Sequence, residues 1–195
     1  MAGPRRHGTV CQTRPGGRLL SRALAMNASS RVLQVQPLTA EAFKAFGDVI
    51  QANDAAKHFS INQGYAERYD RLALVDANDL GGQASISIFR AKARPVPMEL
   101  SVLEKHPLGS QAFMPMSGHA YLVVVAPGVD EPLMDQAQCF LATATQGVNY
   151  AKGTWHHPLL ALHDGDFLVV DRSGAKGDMN CVEFSLQGLG WLVMR

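Results

Sequence analysis

Glu104 and His106 are ionisable residues that stand one residue apart at the end of an apolar run. If residues 98–106 form one strand, alternate side chains share a face, and both residues lie on the face of Leu100 and Val102. The apolar side chains identify that face as the inward one. Because burying an ionisable group costs free energy unless it has partners, the pair indicates a site inside the protein. The alternative is a strand that ends before Glu104 and leaves both side chains at a wet rim.

Polar residues in two parts of the chain keep the spacing of the two cupin motifs. The first motif (His, one residue, His, four residues, Glu, six residues, Gly) is matched in its spacing by Glu104, His106, Gln111 and Gly118. The second motif (Gly, two residues, His) is matched by Gly153 and His156. The spacing is kept although Glu replaces one His and Gln replaces the Glu. It predicts a cupin-like barrel in which these side chains converge.

The same residues include potential metal ligands. Two imidazoles and a carboxylate can hold a divalent ion together with water, in the facial arrangement of iron(II) oxygenases. Glu104, His106 and His156 are therefore candidate ligands for Ni, Mn or Zn, although the sequence does not demand a metal. Gln111 is a weak ligand and is expected to bond substrate instead.

Two adjacent histidines, His156 and His157, precede Pro158. Neighbouring side chains of a strand face opposite ways, so only one of them can point inward. The spacing from Gly153 favours His156. His157 is then expected to face outward, toward a subunit contact; the alternative is that both residues cap an edge strand.

Short apolar runs separated by Gly- and Pro-rich turns must position these residues. The strand-like runs are residues 85–91, 98–106, 111–116, 120–126, 139–144, 155–162, 166–171 and 181–186. Thr39 is expected to cap a short helix over residues 41–46. Many short strands at regular spacing predict a mainly all-β protein, a sandwich or barrel, with one or two short helices.

Composition narrows the classes of partner. The net charge of +1 gives no reason to expect nucleic acid, and the longest apolar run, 121–126, is far shorter than a membrane helix requires. Three widely spaced cysteines suggest neither a disulfide framework nor a thiolate zinc site. Reduced thiols fit a cytoplasmic location. Residues 1–29 contain five arginines and no acid, and are expected to be a disordered or non-native arm before a single barrel domain at 30–195. The alternatives are a transit-like peptide and an upstream start codon with the true start at Met26.

Several stretches together resemble the ureidoglycolate lyase family. They are HPLGSQAFMP (106–115), GVNY (147–150), WHHPL (155–159), FGDVI (46–50) and VDR (170–172). The resemblance runs from about residue 33 to about residue 183, and this combination is far more specific than the cupin spacing. It implies a double-stranded β-helix barrel, a homodimer, and cleavage of (S)-ureidoglycolate to glyoxylate and urea during allantoin use.

That substrate suggests a role for each candidate residue. His106 or His156 would be the base, Glu104 would orient it or act as an acid, and Gln111 would bond the urea carbonyl or the carboxylate. The substrate carboxylate needs a cation, for which the candidates are Arg90, Arg68 and Arg172. Asp171 and His157 are further candidates for substrate binding.

Three alternatives remain open at this point. An ammonia-releasing ureidoglycolate hydrolase would act on the same compound. Another metal-dependent cupin enzyme would need a stoichiometric metal. A non-catalytic cupin would bind its ligand without turnover.

Overall fold

The computed structural model describes residues 12–14 and 31–194. Short strands separated by turns make up much of this part of the chain. In chain order they are β1 (Gln12–Arg14), β2 (Val32–Pro37), β3 (Gly47–Ile50), β4 (His58–Ile61), β5 (Ala66–Tyr69), β6 (Gln83–Ala91), β7 (Met98–Glu99), β8 (Val102–Lys105), β9 (Gln111–Pro115), β10 (Tyr121–Ala126), β11 (Gln138–Ala142), β12 (Gly147–Tyr150), β13 (Trp155–His156), β14 (Leu160–Ala161), β15 (Gly165–Ser173), β16 (Val182–Ser185) and β17 (Leu192–Met194). The helical elements are α1 (Ala40–Phe43) and the short 3-10 helices Asn62–Gly64, Asp79–Gly81 and Met134–Gln136.

Two sheets face each other across the interior. The larger has the order β1-β16-β8-β13-β10-β11-β2-β17-β7, with β14 beside β10, and the smaller has the order β3-β12-β9-β15-β6. Between β8 and β16 the chain crosses repeatedly from one sheet to the other, while β4 and β5 form a separate hairpin. This alternation is the double-stranded β-helix arrangement, and the predicted mainly all-β, cupin-like fold is confirmed.

The strand β10 shows how the layers are held together. All six of its residues are buried, because its two faces pack into different apolar clusters. Tyr121, Val123 and Val125 point into the interior between the sheets. Leu122 and Val124 belong to a second cluster behind the larger sheet. The period of two in a strand thus builds two apolar layers from one continuous apolar run.

The predicted strand over residues 98–106 is in fact two strands. β7 pairs with β17, whereas β8 pairs with β16. Between them the amide of Leu100 donates to the carbonyl of Trp191. The change of partner shifts the alternation, so Leu100 and Leu103 are both fully buried in the cluster behind the larger sheet. The expected shared face of Leu100 and Glu104 is therefore wrong.

The structure confirms one local prediction and changes two others. Thr39 caps α1, as predicted, by accepting a hydrogen bond from the amide of Ala42 at 3.2 Å. The helix ends at Phe43, earlier than predicted. The predicted strand over 155–162 is divided into β13 and β14 around Pro158, whose ring leaves no amide for a ladder.

The predicted arm, residues 1–29, lies outside the described residues except for β1, which pairs in parallel with β16. No helix among residues 12–14 and 31–194 has the length and apolar character needed to cross a membrane.

Cys139 is free and buried. The expectation of reduced thiols is wrong for Cys181, which is disulfide-bonded.

Candidate active site

Neighbouring strands of the larger sheet bring the predicted ionisable residues together. In the pairing of β13 with β8, His156 lies opposite Glu104. Oε1 of Glu104 is 3.6 Å from Nε2 of His156 and 4.0 Å from Nε2 of His106. The imidazole centroids are 5.3 Å apart. The convergence that the cupin spacing predicts is therefore present.

Backbone carbonyls fix the orientation of both imidazoles. Nδ1 of His106 lies 2.8 Å from the carbonyl oxygen of Asn180, and Nδ1 of His156 lies 2.9 Å from that of Thr154. A carbonyl oxygen can only accept, so each Nδ1 carries the donated proton. In a neutral ring the lone pair is then on Nε2, and both Nε2 atoms face the Glu104 carboxylate.

This convergence of acceptors calls for a positive centre. Each of Glu104, His106 and His156 offers one ligand atom, and these atoms lie within 4.8 Å of one another. Nε2 of His106 is buried and has no hydrogen-bond partner. Buried lone pairs that face one another are stable only with a proton or a cation between them. Two imidazoles and a carboxylate are a ligand set for divalent metals, and these three residues therefore fit the metal suggested by the sequence.

Burial and charge set the protonation states. Burial raises the pKa of Glu104, but the hydrogen bond with His156 and the electrostatic interaction with His156 and His106 outweigh it, and the pKa lies below its ordinary value. Burial lowers the pKa of His106, and the neighbouring His156 lowers it further. Glu104 is therefore a carboxylate and His106 a neutral imidazole at neutral pH.

Gln111 and Tyr150 support His156 from the smaller sheet. They lie opposite each other where β12 pairs with β9. The Tyr150 ring stacks on His156 with centroids 4.0 Å apart, and Oε1 of Gln111 lies 3.2 Å from Nε2 of His156. Because that Nε2 is an acceptor in the neutral ring, the contact requires either a protonated His156 or a Gln111 amide turned to donate.

Two cavities meet at this cluster. A cavity of about 170 Å³ is lined by residues that include Glu104, His106, Gln111 and Asp171. A wider groove of about 650 Å³ is lined by Arg94, Pro158 and Leu159, among others. Phe89 and Glu104 line both. Glu104 therefore lies where the small inner cavity meets the open groove.

The residues predicted to bind substrate are divided among several places. Asp171 lines the inner cavity and accepts a hydrogen bond from Ser85 at 2.8 Å. Arg90 lines the groove, but it is exposed and forms a bidentate pair with Asp166 at 2.9 and 3.0 Å. Arg68 lies on the separate hairpin, paired with Asp70 at 2.7 Å. It lines neither cavity.

Arg172 reaches the inner cavity, but its guanidinium is largely occupied. It donates to the carbonyl oxygen of Asp79, to Asp178 at 2.8 Å, and to the side chain of Asn180. Its side chain is only 3% exposed. Arg172 thus holds the segment that presents the Asn180 carbonyl to His106.

His157 does not face outward as expected. It is 2% exposed, its Nδ1 donates to the Pro158 carbonyl oxygen at 2.7 Å, and burial lowers its pKa to about 4. Its amide donates to the Val124 carbonyl oxygen. The side chain is therefore a buried neutral group, and its proposed contact with substrate stays a prediction.

Sequence reasoning missed three residues around the cluster. Tyr150 lies in a stretch that carried the family resemblance, so a signal for it existed. Asn180 acts through its main-chain carbonyl, which no residue type reveals. Arg94 lies between two predicted strands, where the sequence does not distinguish a binding arginine from an ordinary surface arginine.

Some solved structures are distantly similar in fold. RmlC from Streptococcus suis matches with a TM-score of 0.42 and 11% identity, covering 75% of each chain. ChmJ, a 3'-monoepimerase from Streptomyces bikiniensis, matches with a TM-score of 0.41 and 16% identity, covering 80% of this chain and 74% of the other.

The sequence comparisons are far closer. The family model for ureidoglycolate lyase matches residues 30–193. The ureidoglycolate lyase of Pseudomonas syringae pv. syringae is 51% identical over 154 residues, which are 78% of this chain and 89% of the relative. The ureidoglycolate lyase of Azotobacter vinelandii is 49% identical over 154 residues, covering 78% and 91%. The chain therefore belongs to the ureidoglycolate lyase family.

Proposed function

We propose that this protein is a carbon–nitrogen lyase that cleaves ureidoglycolate to glyoxylate and urea. The family and its curated relatives support this activity over the three alternatives. The observation that carries the assignment of the site is the buried, unpartnered Nε2 of His106 at a cavity of about 170 Å³. This nitrogen is an unused acceptor of a residue that lines the cavity together with the Glu104 carboxylate.

The reaction needs one proton to move. The substrate carbon carries both a hydroxyl and a ureido group. As a base takes the hydroxyl proton, the oxygen electrons form the carbonyl of glyoxylate and the carbon–nitrogen bond breaks. The departing urea nitrogen takes a proton. Because the proton removed balances the proton returned, a single imidazole can perform both transfers.

His106 is the base in this proposal. His106 lines the inner cavity, whereas His156 is not among its lining residues, is 1% exposed and stacks against Tyr150. The lowered pKa of His106 keeps the ring neutral and ready to accept. Ionised Glu104 orients the imidazole and stabilises the imidazolium. Because it is ionised, Glu104 is not the acid in this proposal. Gln111 bonds the urea carbonyl.

A divalent ion such as Ni, Mn or Zn would be held by Glu104, His106 and His156. When bound, such an ion would polarise an oxygen of the substrate. A lone pair that ligates an ion cannot accept a proton at the same time. The acid–base role of His106 is therefore assigned to the ion-free site.

We also propose that the protein is a homodimer in the cytoplasm, with a small-molecule substrate and neither nucleic acid nor membrane as partner. The resemblance to a family of dimers supports the first point, and so does an apolar patch on the outer face of the smaller sheet. On that face Ile86 is 74% exposed and Ile88 is 51% exposed. The proposed use of a small nitrogen metabolite supports the location.

The deciding experiment follows glyoxylate, urea and ammonia in one assay of purified protein with ureidoglycolate. We expect equal amounts of glyoxylate and urea, and a His106→Ala variant slowed about 100-fold or more. His119→Ala is the matched control, because His119 is exposed and lines neither site cavity. Ammonia in place of urea would replace the lyase with a hydrolase, and a wild-type rate in His106→Ala would remove the assigned base.

A further inference from the structure

We propose that Arg94 binds the carboxylate of the substrate at the groove next to Glu104. This inference rests on the proposed function for the identity of the anion. It adds a residue that none of the sequence predictions include.

The inner cavity lacks a cation with free capacity for a carboxylate. Glu104 and Asp171 both line it, which makes its wall acidic. Arg172 lines it too, but its donors are engaged by Asp79, Asp178 and Asn180. A substrate anion placed wholly inside would face two carboxylates and a neutralised arginine. Its carboxylate end is therefore expected to lie on the groove side of Glu104.

The groove carries three cations, of which two are already paired. Arg90 forms its bidentate pair with Asp166, and Lys92 donates to Asp164 at 2.8 Å. Within residues 12–14 and 31–194, the side chain of Arg94 has neither a hydrogen bond nor an ion pair. Arg94 is therefore the cation of the groove that has no partner among the described residues.

The backbone holds Arg94 in place while leaving its guanidinium open. The amide of Arg94 donates to the carbonyl oxygen of Ala161 at 2.9 Å, which ties this loop to β14. Burial lowers the pKa of His157, which adjoins the catalytic cluster, and the positive charge of Arg94 lowers it further. A guanidinium presents a planar pair of donors that matches a carboxylate. Apolar Phe89, Phe113 and Leu159 line the same groove and reduce competition from water.

The test measures binding of glyoxylate by calorimetry, so that it does not depend on turnover. We expect Arg94→Ala to weaken glyoxylate binding about 10-fold or more, the size of a lost charge-assisted bond. Arg94→Lys should recover part of the affinity. Lys92→Ala is the matched control, since Lys92 lines the same groove and is already paired with Asp164, and this variant should bind like the wild type.

Kinetics with ureidoglycolate then separate this proposal from the proposed function. Arg94→Ala should raise KM about 10-fold or more with a smaller effect on kcat. Wild-type glyoxylate affinity in Arg94→Ala, equal losses in Lys92→Ala, or no glyoxylate binding by the wild type at millimolar concentration would each overturn the role of Arg94. A protein that binds glyoxylate through Arg94 but releases no urea would instead overturn the lyase and keep the anion site.

Discussion

At the scale of single residues, His106 owes its proposed role to a bond on the far side of its ring. Because Nδ1 donates to the Asn180 carbonyl oxygen at 2.8 Å, the lone pair of the neutral ring is on Nε2. That atom is buried without a hydrogen-bond partner, and His106 lines the inner cavity. His156 has a similar orientation but does not line that cavity, so His106 is the imidazole of the pair that we propose as the base.

The lowered pKa of His106 predicts how the rate depends on pH. A base works when unprotonated, and a lowered pKa keeps the ring unprotonated to lower pH. In protein dialysed against a chelator, the acid limb of kcat/KM should therefore lie below pH 6.5, the ordinary value for histidine. A limb at or above that value, or an inactive ion-free protein, would contradict the assignment of His106 as base.

The three converging ligand atoms predict a measurable metal site. Titration of the chelated protein with Ni²⁺, Mn²⁺ or Zn²⁺ in a calorimeter should show one ion bound per chain. Glu104→Gln should weaken this binding at least about 10-fold, because it replaces an anionic ligand with a neutral one. Asp171→Asn is the control: it changes a carboxylate of the same cavity outside the triad. Equal losses in both variants would point to general charge instead of ligation.

At the scale of elements, the inward direction of Glu104 was predicted for a partly wrong reason. The alternation argument assumed an unbroken strand, but the chain changes from pairing with β17 to pairing with β16. The partner with which a strand pairs depends on residues far away in sequence, so the local pattern of residues 98–106 could not predict the change of partner. The cupin spacing still located Glu104, His106 and His156, because it reflects the whole barrel. The strand β12 was overlooked because Gly147, its first residue, reads as a turn.

Arg172 ties separate loops to β15, and its loss should affect both stability and activity. Arg172→Met leaves Asp178 without its ion pair and frees the segment that presents Asn180 to His106. We expect a loss of about 3 kcal/mol in the free energy of unfolding, together with a lower kcat. Denaturant titration and steady-state kinetics measure the two effects.

Arg90→Met provides the comparison for that variant. The Arg90 side chain is 80% exposed, against 3% for Arg172, and exposed ion pairs contribute little to stability because solvent screens them. The two substitutions remove the same group from β6 and β15, which are neighbouring strands. Similar stabilities for the two variants would contradict the anchoring role of Arg172.

At the scale of the whole molecule, the alternation between two sheets brings residues of distant sequence to one place. Glu104 and His156 come from the larger sheet, and Gln111 comes from the smaller. The apolar clusters hold these sheets at a fixed separation, with β10 shared between both layers. The sequence could predict this architecture from strand spacing. The positions of Asn180 and Arg94 depend on loop geometry, which leaves no periodic signal.

The outer face of the smaller sheet is apolar, which supports the proposed dimer. Ile88, Leu168 and Met114 form one row across β6, β15 and β9, and Ile86 lies beside Val170 in the next row. Ile86 and Ile88 are among the most exposed large apolar side chains of a strand in the described residues. Patches of this kind mark contact surfaces, and a second copy offers the same patch across a two-fold axis.

A double substitution, Ile86→Glu with Ile88→Glu, should therefore convert the dimer to a monomer. At a two-fold contact each protomer would bring two carboxylates against the other pair, so that lost apolar burial and charge repulsion act together. Light scattering measures the mass, and Val129→Glu, at an 83% exposed position outside the patch, should leave it unchanged. A monomeric wild type, or a variant that stays dimeric, would contradict this interface. Because β6 also carries Phe89, which lines both cavities, the monomer should bind glyoxylate more weakly if the contact holds that strand in place.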